Sequence, residues 1–229
     1  MGSIVEFPSN GSTGSGYYAP ADGGGPGVVV IQEWWGLVPH ITDVCDRYAA
    51  AGFTVLAPDL YHGDHASNTE PDEAGKLMMA LNLDRAVKDM AGAIAFLQAS
   101  DAVTTEAIGV TGFCMGGGLA LVLACARPDA VGACAPYYGL IPWEGAQPDW
   151  TKVTAPIHGH YAEYDEYFGP PAVADMAAKL EAAGKDASFV IHPGTHHAFF
   201  NDTRPEVYDA AASAEAWDET LGFFRSTLR

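Results

Sequence analysis

The 229 residues carry 11 basic against 29 acidic side chains, a formal net charge of −18, so nucleic-acid phosphates and anionic lipid surfaces are both repelled. Hydrophobic residues make up 48% of the chain, enough to bury the core of one large domain and too much for a disordered one, while the longest apolar runs, Gly27–Ile31 and Leu119–Ala126, are too short to span a bilayer. The Gly/Ser-rich Met1–Gly16 lacks the basic start and apolar stretch of a secretory signal, and Cys45, Cys114, Cys125 and Cys134 form neither a CxxC pair nor a disulfide framework, so a cytoplasmic protein with no nucleic-acid or membrane partner is expected.

In chain order, Met1–Pro20 can add a short antiparallel hairpin at one sheet edge. Val28–Gln32 is a continuous β-branched run, the pattern of a strand covered on both faces. It leads into Glu33-Trp34-Trp35-Gly36, and Ile41–Ala51 then has helical spacing, with Gly52 as its stop. Phe53–Ala57 reads as a strand closed by Pro58-Asp59, Tyr61–Asp72 as a polar loop, and Pro71–Ser100 as two helical segments. Ala107–Thr111 is a third buried strand and Met115–Ala126 a small-residue helix bounded by Pro128. The rhythm repeats with strands at Val131–Tyr137, Pro156–Tyr161 and Ala187–His192 and helices at Ala172–Ala183 and Pro205–Leu228. Alternation of this kind predicts one α/β domain over residues 1–229, with an open, mostly parallel sheet and helices on both faces.

Gly112-Phe113-Cys114-Met115-Gly116 falls between a predicted strand and a predicted helix. In that setting G-x-C-x-G is a nucleophile elbow, a tight turn that lifts the nucleophile above the carboxyl edge of the sheet. A Cβ at Gly112 or Gly116 would collide with the neighbouring strand or helix. The Met115 N–H faces the attacked carbonyl, and a helix N-terminus favours a thiolate. Cys45, Cys125 and Cys134 lie within predicted elements and read as buried structural thiols.

A thiol nucleophile needs a base and an acid to orient it, which in this architecture follow the nucleophile in the order acid, histidine. Two loops after predicted strands offer them: Asp165, with Glu163 and Glu166 as alternatives, and His196 or His197. Glu33 stands at the same edge as a loop charge or a partner of Cys114, and Trp34 and Trp35 line a pocket or pack in the core. His158-x-His160 and His62-x-x-His65 have metal-ligand spacing but no third ligand placed nearby, so no metal and no other cofactor is expected.

Five stretches together resemble the dienelactone hydrolase (carboxymethylenebutenolidase-like) family, a cysteine branch of the α/β-hydrolase fold: Val30-Ile31-Gln32-Glu33-Trp34-Trp35-Gly36, Ala57-Pro58-Asp59-Leu60-Tyr61, Gly112-Phe113-Cys114-Met115-Gly116-Gly117, Tyr137-Tyr138-Gly139 and Gly194 to Phe199. The resemblance runs from about Gly27 to Phe224. It implies a triad of Cys114, His197 and Asp165, with Glu33 holding the resting thiol and assisting its deprotonation. It places the oxyanion hole at the backbone N–H groups of Trp34 and Met115. Trp35, Tyr137, Phe199 and Arg204 are the expected substrate-pocket residues.

The implied activity is hydrolysis of a small lactone, enol-lactone or related ester through an acyl-thioester, by a monomer or homodimer. One departure bears on the substrate. Pro71 and Asn201 stand where the family pattern has two carboxylate-binding arginines, and Lys76, Arg85 and Arg204 are out of that register. Two rival readings use the same residues: a thiol-based redox or electrophile-responsive protein, for which no resolving cysteine is visible near Cys114, and a catalytically silent scaffold.

Overall fold

The computed structural model describes residues 1–143 and 146–229. Eight strands form one sheet in the order β1-β2-β4-β3-β5-β6-β7-β8. The hairpin of β1 (Ser3–Ser9) and β2 (Ser12–Ala19) pairs antiparallel and joins the edge of β4 (Thr54–Pro58). Its Asn10-Gly11 turn has φ of 50° and 72°, the paired positive values of the tight turn that matches strand twist. From β4 onward every pairing is parallel, through β3 (Gly27–Ile31), β5 (Ile108–Phe113), β6 (Val131–Tyr137), β7 (Ile157–Tyr164) and β8 (Ala187–His196).

Strand alternation sends successive side chains to opposite faces. Val29 and Ile31 point to the face covered by α3 (Leu83–Gln98), α4 (Met115–Ala126) and, toward β7 and β8, α5 (Pro170–Ala182). Val28 and Val30 point to the other face, which α1 (Pro39–Ala50) and α6 (Ala210–Thr227) cover. A smaller cluster of Trp35, Ala66 and Ala74 seats α2 (Pro71–Ala80) above the carboxyl edge of the sheet. Proline opens α1, α2 and α5, where its missing N–H would have had no helical partner anyway.

Two expected boundaries move by four residues or more. The last helix begins at Ala210 rather than Pro205, because Asp209 caps it by accepting the Ala212 N–H at 2.9 Å. β8 runs to His196 instead of ending at His192. Pro193 is tolerated because β8 is an edge strand, where a missing N–H breaks no rung. Among the described residues no helix is long and apolar enough to cross a membrane.

Candidate active site

Cys114 is the single residue between β5 and α4, with φ 55° and ψ −120°. A non-glycine residue holds positive φ only where its surroundings impose it, and two glycines allow the neighbours to close in. A Cβ at Gly112 would overlap the Gly116 carbonyl oxygen, and one at Gly116 would overlap the carbonyl oxygens of Ile31 and Gln32. The chain therefore packs backbone to backbone around Cys114, which stays partly exposed while Cys45, Cys125 and Cys134 are buried. Burial pushes those three thiols up, Cys125 to about 11.

The next two groups come from the ends of neighbouring strands. Tyr164 of β7 is registered with His196 of β8, so Asp165 and His197 leave the sheet side by side. His197 Nδ1 lies 2.7 Å from Asp165 Oδ2, and Asp165 Oδ1 accepts the backbone N–H groups of Tyr167 and Phe168 at 2.8 and 2.9 Å. Burial works to raise the Asp165 carboxyl, but the imidazole and the two amides outweigh it and hold the group below the ordinary carboxylate range. Burial likewise works to lower His197. Negative charge at the Cys114 sulfur and the Asp165 partner override it, and the imidazole is raised to about 10. Of the alternatives, Glu163 accepts the Gly194 N–H at 2.7 Å, Glu166 is exposed, and the exposed His196 sets its ring at a tilt beside that of Tyr164.

Glu33 follows β3 and is 1% exposed. Its Oε2 accepts a 2.7 Å hydrogen bond from Asn201 Nδ2, and Asn201 Oδ1 in turn accepts from the Thr203 backbone N–H and hydroxyl. Beside Glu33, the Trp34 carbonyl accepts the Tyr61 hydroxyl at 3.1 Å, which fixes the turn that presents the Trp34 N–H. Tyr61 is held in turn by Asp59, which accepts the Tyr61 and Gly63 N–H groups. Among the described residues, the N–H groups of Trp34 and Met115 donate to no protein acceptor.

Cys114, His197, Glu33, Trp34 and Met115 share the wall of one cavity of about 710 Å³. Trp35, Met78, Pro142, Tyr167 and Phe168 supply much of its apolar lining. Arg204 is the one arginine or lysine lining it among the described residues, with its guanidinium over the Trp35 ring and Nε 2.8 Å from Glu206. No other cysteine lines it.

Two expected pocket residues lie elsewhere. Tyr137 is fully buried on the α6 face, its hydroxyl donating to the Ala216 carbonyl, because alternation along β6 turns it away from the cavity. Phe199 is also fully buried, its ring against Tyr138 and His192. Tyr138, not singled out from the sequence beyond its Tyr-Tyr-Gly setting, packs its ring 5.2 Å from that of His197. Its buried hydroxyl has no partner among the described residues. Burial first, then the charges of Glu33 and Cys114, push that phenol well above its ordinary range. The aromatic pair Tyr167-Phe168, just past Glu166, was a readable sign that this loop walls the pocket.

A model of the dienelactone hydrolase family matches residues 15–228. Protein usf of Aquifex pyrophilus is 39% identical over 239 residues, covering 100% of both chains. A protein of Aquifex aeolicus named "putative carboxymethylenebutenolidase" is 36% identical over 240 residues, again covering 100% of both. The crystal structure titled "putative dienelactone hydrolase" from Klebsiella pneumoniae superposes with a TM-score of 0.87 at 26% identity, over 98% of each chain. The elbow, the strand-end pair and this full-length similarity agree: the chain belongs to the dienelactone hydrolase family of α/β hydrolases.

Proposed function

We propose that this hydrolase acts on lactones, enol-lactones and related carboxylic esters through a Cys114–His197–Asp165 triad and an acyl-thioester intermediate. The observation that carries the reading is the 2.7 Å contact between His197 and Asp165 at a cavity shared with Cys114, the residue of the strained turn.

The Cys114 thiolate attacks the ester carbonyl, and the resulting oxyanion is held by the N–H groups of Trp34 and Met115. Each donor of this kind is worth about 3–4 kcal/mol in the transition state. The C–O bond then breaks, and the leaving oxygen takes a proton from the His197 imidazolium. Water attacks the thioester, giving its proton to His197, and the C–S bond breaks to release acid and thiolate. Asp165 fixes the imidazole tautomer throughout. Glu33 stands in the same cavity to take the thiol proton when substrate arrives and to return it to the sulfur once the acid has left.

Ring opening of a simple lactone leaves the alkoxide tethered next to the thioester, where it can re-close. An enol leaving group tautomerises to a ketone and escapes this reversal, so enol-lactones suit the chemistry best. The aromatic lining and the pairing of Arg204 with Glu206 favour substrates without a carboxylate. A small molecule of this kind is the only partner the reading requires.

The test is to quench the protein during turnover of an activated aryl ester and weigh its peptides. The expected result is one acyl group on the peptide containing Cys114, with Cys114→Ala folded but inactive and unlabelled. A Cys114→Ala variant that keeps most of the activity overturns the reading. Cys114→Ser is expected to be poor, since a hydroxyl needs more base assistance than a thiol.

A further inference from the structure

We propose that His158, His160 and Glu219 form a binding site for one divalent cation of the zinc class, on the α6 face of the sheet and separate from Cys114. The histidine pair on β7 lacked a third ligand in the linear sequence, and α6 supplies it from 61 residues onward. His158 and His160 are two apart on one strand and so share a face, and Glu219 lies across from them. His158 Nε2 is 3.3 Å and His160 Nδ1 3.9 Å from Glu219 Oε2, and one ligand atom from each residue lies within 4.8 Å of the others. Tetrahedral ligands at about 2.0–2.1 Å from zinc stand about 3.3 Å from one another, so a small inward movement completes the set.

The hydrogen bonds around the cluster prepare it for a cation. Tyr137 O–H donates to the Ala216 carbonyl, so the hydrogen between Tyr137 and Thr220, 2.7 Å apart, comes from Thr220. Thr220 Oγ1 is then left as an acceptor toward His160 Nε2 at 3.1 Å. His160 therefore carries its proton on Nε2 and turns a bare Nδ1 toward Glu219. On His158, Nδ1 lies 2.8 Å from Ser188 Oγ, which can take that N–H and free Nε2. Outer partners that fix the tautomer in this way are what ligating histidines ordinarily have.

Beside these three, His192 Nε2 lies 3.1 Å from His160 Nδ1. The site ties β7 to α6, and through His192, which packs on Phe199, it braces the strands that end at Asp165 and His197. None of this depends on the esterase chemistry.

The test uses the full chain, stripped with a chelator and titrated with Zn²⁺ alone by calorimetry, then with Co²⁺ by absorption. One equivalent bound, a higher melting temperature with Zn²⁺, and a tetrahedral Co²⁺ spectrum without a thiolate charge-transfer band are expected. Glu219→Gln, at a partly exposed position where the fold tolerates change, lowers the affinity at least about tenfold, and His158→Ala abolishes binding, while Cys114→Ala leaves it unchanged. Zn²⁺ binding that disappears in Cys114→Ala, that is undiminished in Glu219→Gln, or that is absent at micromolar metal overturns the proposal.

Discussion

The buried Glu33 carboxylate is held by Asn201, whose amide nitrogen donates to it at 2.7 Å across 168 residues of sequence. The contact fixes one of the carboxyl oxygens at the wall of the cavity it shares with the nucleophile. Asn201→Ala removes the donor and leaves a buried acceptor unpaired, which costs about 1–3 kcal/mol. For a chain of this size that is a fall in melting temperature of about 3–10 °C, measured by thermal denaturation at neutral pH. An unchanged melting temperature would show that Glu33 does not depend on Asn201.

Tyr138 presents the opposite case. Its hydroxyl is buried and has no hydrogen-bonding side chain or backbone group beside it among the described residues. Tyr138→Phe keeps the ring packing against His197 and Phe199 and removes the orphaned group. The variant should melt about 2–4 °C higher than the parent, corresponding to about 1 kcal/mol. A lower melting temperature would show that the hydroxyl has a partner in solution.

The His197–Asp165 pair makes stability depend on pH in two windows. His197 is raised to about 10 in the folded chain from an ordinary value of about 6.5. Its contribution is fully present below about pH 6.5 and is lost as pH rises through about 10. Asp165 is lowered, so its contribution is present above about pH 4 and is lost as pH falls. Melting temperatures across this range should fall at both ends. In Cys114→Ala the alkaline fall should weaken, since the sulfur charge that helps hold the proton on His197 is gone. Nitrogen chemical shifts of the His197 ring across the same range give the direct check: the ring should stay protonated above pH 7 in the parent and titrate lower in the variant.

The strand–turn–helix around Cys114 was legible because three local signals coincide there: a β-branched strand, closely spaced glycines and a small-residue helix. Which histidine pairs with which carboxylate was not legible from local chemistry, since His196 and His197 are adjacent and three acids crowd one loop. The pairing is a property of register. Tyr164 sits opposite His196 only because β8 continues past Pro193, and a proline normally reads as the end of a strand. Tyr137 and Phe199 were misjudged for a related reason. Nearness to the site in sequence says nothing about which face of the sheet a side chain takes. Glu219 was invisible as a partner of His158 because an acid on a mostly solvated helix face looks like any other among 29 acidic residues.

Substrate charge can be read from ionic strength. The body carries −18, and the one arginine or lysine lining the cavity among the described residues, Arg204, is paired with Glu206. A lactone bearing a carboxylate therefore approaches against the field of the whole chain, and salt relieves that repulsion over a Debye length of about 10 Å at 0.1 M. Raising ionic strength from about 0.01 to 0.5 M should increase kcat/KM for such a lactone several-fold, mainly through KM, while an uncharged ester of similar size stays flat. Arg204→Met should leave the neutral ester unaffected to within about twofold, because a cation already engaged by a neighbouring carboxylate adds little to uncharged binding. If salt instead slows the anionic lactone, or if Arg204→Met abolishes its turnover selectively, Arg204 leaves Glu206 to hold the substrate carboxylate, and the preference for uncharged substrates is wrong.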